Sequence, residues 1–129
     1  MDAIILCTGY LHHFPFLSDD LKLQTTNRLW PLDLYKGIFW EHNPQLMYLG
    51  MQDQFYTFNM FDAQAWYARD YILGKITLPS KEKMTADSLQ WRAREEQLKN
   101  DEEMIWFQGD YVQHLRSITI CMVFCLLLG

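Results

Sequence analysis

The sequence lacks a glycine-rich turn and a basic patch. Its six glycines lie too far apart for a phosphate-cradling turn, which needs glycines about two or three residues apart. Eleven basic against sixteen acidic residues give a net charge of -5, and no run of Lys or Arg offsets the repulsion of a phosphate backbone. These absences exclude a dinucleotide cradle within this sequence and predict no nucleic-acid partner.

The sequence is also poor in targeting signals and in paired cysteines. Cys7, Cys121 and Cys125 are an odd count without Cys-x-x-Cys spacing, which indicates a reducing compartment. The N-terminus has no basic region typical of a secretory signal. The apolar run 118–128 is shorter than the ~20 residues that a spanning helix needs. We therefore expect a cytoplasmic protein without a membrane anchor, with attachment through this run as the least favoured alternative.

What is present indicates one globular domain, or a piece of one. The 129 residues are 50% hydrophobic and 21% charged. Residues 3–7 form an uninterrupted apolar run typical of a strand buried on both faces. The apolar runs 35–40 and 45–49 flank an Asn-Pro pair at 43–44, which predicts a β-hairpin.

The pattern changes to helical between residues 52 and 79. Asn59 is the expected N-cap, with Asp62 at the capping-box position, and Gly74 and Pro79 should end the helix. Apolar residues on both faces predict burial on more than one side. The expected main stripe is Phe58, Phe61, Ala65, Ala68 and Ile72, and the opposite face carries Met60, Ala63, Trp66 and Tyr67.

The charged segment 80–115 favours two further helices because it is rich in good helix formers. The first should span about 81–98, and Asn100 or Asp101 should cap the second. The predicted buried stripe of the second helix is Met104, Phe107, Tyr111 and Leu115.

No residue pattern indicates a self-sufficient active site or a metal site. His12 and His13 are adjacent, so their side chains diverge, and His42 and His114 have no partner at ligand spacing. No nucleophile elbow or His-Glu-x-x-His motif is present. We therefore expect no metal ligand and no catalytic residue in this sequence, apart from one candidate, Asp53, discussed below.

The loop 50–59 places two amides, a carboxylate and a hydroxyl before a helix N-terminus, which offers unpaired N–H donors and a positive dipole. Amide side chains both donate and accept, as the edge of a planar heterocycle requires. The alternative is that these groups only cap the helix and satisfy the turn. Spacing alone does not separate the two interpretations.

Several segments of the sequence carry specific motifs: residues 2–10 (DAIILCTGY), 50–54 (GMQDQ) and 58–66 (FNMFDAQAW), with shorter ones at 12–17, 34–37, 78–81 and 108–111. Together these segments resemble the flavin-containing monooxygenase family, and most closely its bacterial trimethylamine-oxidising branch. Residues 2–10 are similar to the ATGY-type strand and turn found late in that family.

The resemblance implies an α/β fold, namely the C-terminal part of a two-domain FAD- and NAD(P)-binding enzyme with late strands, a flavin-facing helix and a peripheral helical arm. In that family NADPH reduces FAD, and a C4a-hydroperoxyflavin passes oxygen to soft nitrogen or sulfur nucleophiles, such as trimethylamine-like amines that become N-oxides. The implied cofactors are FAD and NADP. The implied partners are an amine or sulfide and oxygen, and a homodimer is one open option for the full-length enzyme.

The resemblance also assigns residues. Gln54 and Thr57 would lie against the isoalloxazine ring of FAD, and Asp53 could face the substrate amine or a water. The other implied cofactor-binding residues, at the junction of the flavin and nicotinamide domains, are Thr8, Gly9 and Tyr10.

The expected organisation is a part of the FAD-binding domain at 1–79, a helical arm at 80–116 and an aberrant apolar tail at 117–129. Because the family's two glycine-rich motifs are absent from this sequence, we expect it to be inactive alone. The alternative function is a non-enzymatic interaction module that retains the fold remnant and binds another protein through its aromatic surface.

Overall fold

A computed structural model describes residues 13–23, 29–31, 33–53 and 55–127, with side chains as far as residue 115. Five elements follow one another: β1 (Leu34–Tyr35), β2 (Phe39–Trp40), α1 (Thr57–Ile72), α2 (Lys81–Glu95) and α3 (Asp101–Leu127). The predicted strand at 3–7 lies outside the described residues.

A tight turn joins β1 to β2, which pair antiparallel with Tyr35 opposite Phe39. Lys36 and Gly37 both have positive φ values, 54° and 62°, as the central residues of a type I′ turn do. A Cβ at Gly37 would lie 2.7 Å from Oε1 of Gln52, so the turn has room only for glycine. The sequence analysis did not predict this strand pair.

The predicted hairpin around Asn43-Pro44 is present as a short antiparallel return. The N–H of Trp40 donates to the carbonyl of Leu46 at 3.0 Å, and that of Tyr48 donates to the carbonyl of Ile38 at 2.8 Å. Phe39 and Met47 form an isolated antiparallel bridge. The antiparallel pairing predicted for the hairpin is therefore confirmed, although residues 45–49 form an isolated bridge and not a full strand.

Helix α1 begins three residues earlier than the predicted N-cap implies. Tyr56 occupies the N-cap position and makes no side-chain cap, so the prediction of Asn59 as N-cap is wrong. The loop before the helix is held by side chains from α1 and α3, and these contacts replace a local cap. The predicted end is confirmed, because Gly74 has the left-handed φ of 68° just beyond the helix.

The buried face of α1 is not the predicted main stripe. Phe58 is 81% exposed and Ile72 is 68% exposed, and the expected burial of both faces is not seen among the described residues. The helix contacts the core through a face that combines most of the predicted opposite face with Ala68 of the main stripe, while Trp66 is 43% exposed. The buried positions at helical spacing are Met60, Ala63, Gln64, Tyr67 and Ala68.

Helices α2 and α3 confirm the two predicted helices, with α2 ending at Glu95. Asn100 accepts a hydrogen bond from the N–H of Glu103 at 2.9 Å, and the Glu103 carboxylate accepts one from the N–H of Lys99 at 2.9 Å. This reciprocal arrangement at the start of α3 resembles a capping box. The predicted stripe of α3 is buried at Phe107, Tyr111 and Leu115.

All three helices and the hairpin share one core. Trp30 stacks on Trp91 with ring centroids 5.1 Å apart, and Tyr111 meets Trp30 edge-on at 5.3 Å. The carboxylate of Glu95 accepts the backbone N–H groups of Leu29 and Trp30, each at 3.2 Å. The segment before β1 is thereby attached to α2.

The apolar C-terminal run continues α3 as a helix to Leu127, although its sequence shows no helical period. Within the part of the chain that the structure describes, no helix combines the length and apolar character required to cross a bilayer.

Candidate functional site

The candidate site is the loop that follows Gly50 and enters α1. Gly50 has a φ of 75°, and a Cβ there would lie 2.6 Å from the ring of Phe61, so the chain turns closely over the helix that it is about to enter. This turn directs the described loop residues 51–53 and 55–56 toward the N-terminus of α1.

Buried amides hold the beginning of the loop. The Gln64 side chain accepts the N–H of Gly50 at 2.9 Å and donates to Oε1 of Gln52 at 2.6 Å. Gln52 in turn donates to the carbonyl of Leu29 at 3.0 Å. The Gln52 amide therefore satisfies backbone and side-chain groups of the turn and does not face a ligand. For this residue, the interpretation that the polar groups satisfy the turn is supported.

Tyr111 extends this network to the β1–β2 turn. Its hydroxyl donates to the carbonyl of Lys36 and accepts a hydrogen bond from Gln64 at 3.2 Å. Because the Tyr111 side chain is fully buried, desolvation raises the pKa of its phenol well above its usual range. The hydroxyl is therefore a neutral, permanent part of the network.

Gln108 of α3 holds the end of the loop. Its Oε1 accepts the N–H of Phe55 at 2.6 Å, and its Nε2 donates to the carbonyl of Asp53 at 3.3 Å. The side chain is 2% exposed. The backbone at the end of the loop is thus held by α3, while Asp53, Phe55 and Tyr56 are exposed.

The outer surface of the loop and of the helix N-terminus is aromatic and polar. Phe55 is 60% exposed, Tyr56 is exposed, Asp53 is exposed and Thr57 is half-buried at the first position of α1. Tyr56 at the N-cap position makes no side-chain cap to α1, so the described residues bear out the turn-satisfying part of the alternative, through Gln52, and not its capping part. The N-terminus of α1 carries a positive dipole and backbone N–H donors that Tyr56 does not cap.

Of the predicted site residues, Asp53 and Thr57 lie together on this surface. Gln54, Thr8, Gly9 and Tyr10 lie outside the described residues. Among the residues that the structure describes, no three His, Cys, Asp or Glu side chains are arranged to hold a metal ion.

Sequence reasoning missed a second polar cluster, formed by Lys36, Asp87 and His114. The Lys36 ammonium is 2% exposed, donates to both carboxylate oxygens of Asp87 at 3.0 and 2.9 Å, and contacts Nε2 of His114. Burial lowers the pKa of Lys36, against the opposing effect of Asp87. Burial, and then the charge of Lys36, lowers the pKa of His114. The cluster joins the hairpin turn to α2 and α3.

Comparisons with known proteins agree on one family. A family model described as FMO-like, flavin-binding monooxygenase-like, matches residues 1–125. The trimethylamine monooxygenase of Methylocella silvestris is 61% identical over 119 residues, which are 92% of this chain and 26% of that protein. That of Pelagibacter ubique is 58% identical over 118 residues, which are 92% of this chain and 27% of that protein.

A solved structure shows the same fold. The crystal structure of Tmm from Pelagibacter sp. strain HTCC7211 superposes with a TM-score of 0.84 at 57% identity, over 87% of this chain and 26% of that one. The mixed helices and small sheet are therefore part of a FAD-binding α/β fold, as predicted. The chain spans about a quarter of the length of the curated relatives that it matches.

Proposed function

Because this chain belongs to the flavin-binding monooxygenase-like family, we propose that it supplies the flavin-facing helix of an enzyme that oxygenates soft nitrogen or sulfur nucleophiles. The substrates that we propose are trimethylamine-like amines, converted to N-oxides with FAD, NADPH and oxygen. The observation that carries the proposal is the 61% identity to a trimethylamine monooxygenase across a segment that includes the loop before α1.

The surface before α1 fits a flavin ring. An isoalloxazine is a planar aromatic system with carbonyl oxygens and ring nitrogens along one edge. Phe55 and Phe58, 60% and 81% exposed, offer apolar surface to its plane. The hydroxyl of Thr57 and the backbone N–H groups at the helix N-terminus, which Tyr56 does not cap, offer hydrogen-bond donors to its edge.

We assign the residues as follows. With FAD bound, Thr57 and Gln54 would hydrogen-bond the ring edge, and Asp53 would face the amine or a water molecule. A flavin reduced by NADPH supplies the activated oxygen that is transferred. The part played by this chain is to orient the ring and, through its exposed aromatic side chains, to exclude water from it. The other cofactor contacts that we propose are Thr8, Gly9 and Tyr10.

The same proposal covers the organisation of the chain. Residues 1–79 would belong to the FAD-binding domain, 80–116 would form a helical arm and 117–129 an aberrant tail. Since the sequence contains no glycine pair with the spacing of a phosphate cradle, the 129 residues alone would not retain flavin or catalyse turnover.

A chimeric enzyme tests the proposal. In this chimera, the 119-residue matching segment of the Methylocella silvestris protein is replaced by the corresponding part of this chain. We expect stoichiometric FAD and NADPH-dependent formation of trimethylamine N-oxide. Thr57→Ala and Gln54→Ala should each weaken FAD retention, because each loses a hydrogen bond worth roughly 0.5–1.5 kcal/mol.

The matched control is Thr85→Ala, which removes a hydroxyl of α2 that donates to Glu41 at 2.7 Å and not to the loop. A folded chimera without FAD, or Thr57→Ala and Gln54→Ala variants that match the Thr85→Ala variant in FAD content and product yield, would contradict the proposed roles. A folded chimera without FAD would also favour the alternative of an interaction module, for which the exposed Phe16 and Trp106 are the supporting observation.

A further inference from the structure

We propose that Gln108 is a positioning residue for the flavin-facing loop. The inference rests on the proposed function, and it adds a residue of α3 that is remote in sequence from the loop. Its oxygen accepts the N–H of Phe55 at 2.6 Å and its nitrogen donates to the carbonyl of Asp53 at 3.3 Å. These two groups belong to consecutive peptide units, so one side chain restrains both.

An amide can make both of these contacts, whereas a charged side chain cannot. A carboxylate accepts but does not donate, and an ammonium or guanidinium donates but does not accept. The Gln108 amide therefore acts toward the loop as a neighbouring β-strand would, with one acceptor and one donor facing a C=O and an N–H. At 2% exposure water cannot replace it without a change in packing.

Backbone contacts matter most at the end of the loop, because its described side chains there are not buried. Asp53, Phe55 and Tyr56 are all exposed. At the beginning of the loop, the Gly50 N–H is held by Gln64 of α1 at 2.9 Å. At its end, Gln108 of α3 holds the backbone through both atoms of its amide.

The support for Gln108 is itself rigid. It lies on α3 between Phe107 and Tyr111, which are 3% and 1% exposed. Tyr111 is bonded to Gln64, which holds the other end of the loop. The buried phenol of Tyr111 therefore joins Gln64 to α3, the helix that carries Gln108, so the supports of both ends of the loop are connected.

The first experiment measures amide hydrogen exchange in the 129-residue chain, without any cofactor. In Gln108→Met, which keeps the length of the side chain and removes its polar atoms, the Phe55 N–H should exchange at least tenfold faster. The Gly50 N–H is the internal control, because its acceptor is Gln64. In Gln108→Glu the Phe55 protection should be largely retained, since a carboxylate still accepts. Unchanged Phe55 exchange in Gln108→Met would overturn the proposal.

The second experiment uses the chimeric enzyme. Gln108→Met should change the absorption spectrum of the bound flavin and should raise several-fold the ratio of hydrogen peroxide released to N-oxide formed. Val112→Ala is the matched control, because it lowers the stability of the same helix at a residue that is 8% exposed. If Gln108 only stabilised the helix, Gln108→Met and Val112→Ala variants with equal losses of melting temperature would have the same flavin spectrum and the same ratio of peroxide to N-oxide. That result would also overturn the proposal.

The two experiments distinguish failure of the proposed function from failure of the positioning role of Gln108. A chimera that folds without flavin would refute the proposed function and with it the positioning role, while Phe55 exchange would still show whether Gln108 holds the loop. A flavin-loaded chimera whose spectrum and coupling are unaffected by Gln108→Met would refute the positioning role alone.

Discussion

Tyr111→Phe should destabilise the chain although it removes only one oxygen atom. The Tyr111 hydroxyl donates to the carbonyl of Lys36 and accepts from Gln64 at 3.2 Å, in a residue that is 1% exposed. The phenylalanine ring would keep its edge-on contacts with Trp30 and Trp91, whose ring centroids lie 5.3 and 5.9 Å away. The change therefore tests the hydrogen bonds apart from the packing.

The magnitude follows from the two bonds. Each buried hydrogen bond contributes about 0.5–1.5 kcal/mol net, and the carbonyl of Lys36 would lose a buried donor. Gln64 would lose less, because its nitrogen still donates to Gln52 at 2.6 Å. We expect the free energy of unfolding to fall by about 2 kcal/mol.

Urea unfolding followed by tryptophan fluorescence measures this loss, because Trp30 and Trp91 contact the altered ring. The matched control is Tyr56→Phe at a position that is 40% exposed, where the free energy should change by less than about 0.5 kcal/mol. Equal unfolding midpoints for the Tyr111→Phe and Tyr56→Phe variants would refute the assignment of a stabilising network to Tyr111.

Three further predictions concern the second polar cluster and the C-terminal run. Asp87→Asn should lower the free energy of unfolding by about 3 kcal/mol, because it leaves the buried ammonium of Lys36 without its charge partner; a loss below about 1 kcal/mol in urea unfolding would contradict this. The folded-state pKa of His114 lies below its usual 6.5, so the unfolded state binds more protons just below that pH. Stability should therefore fall as pH drops through about 6.5 toward the folded pKa, and more steeply in the wild type than in His114→Gln; parallel urea-midpoint profiles between pH 5 and 8 would refute it. Truncation after Leu115 should increase solubility without loss of the helices up to that residue, as judged by sedimentation and circular dichroism, whereas a truncated chain that loses more helix than residues 116–127 account for would show that the run stabilises the fold.

The features that the sequence by itself determined are the local ones. Three such features are the start of α3 at Asn100 and Glu103, the left-handed stop at Gly74 and the turn around Asn43. Each depends on residues within a few positions of one another, so its sequence pattern predicts it without knowledge of the tertiary structure. The family resemblance carried by 50–54 and 58–66 is likewise a property of the sequence, and the comparisons confirmed it.

Only the tertiary structure decided which side of α1 is buried and where it begins. The helix is apolar on both faces, so its periodicity could not distinguish the exposed Phe58 from the buried Met60. Its start follows from a loop held by Gln108, which is separated from Phe55 by 53 positions. The Lys36–Asp87 pair spans 51 positions. Contacts over such separations depend on how the helices pack, and no local pattern encodes them, which is why the polar residues that hold the candidate site became visible only in the folded chain.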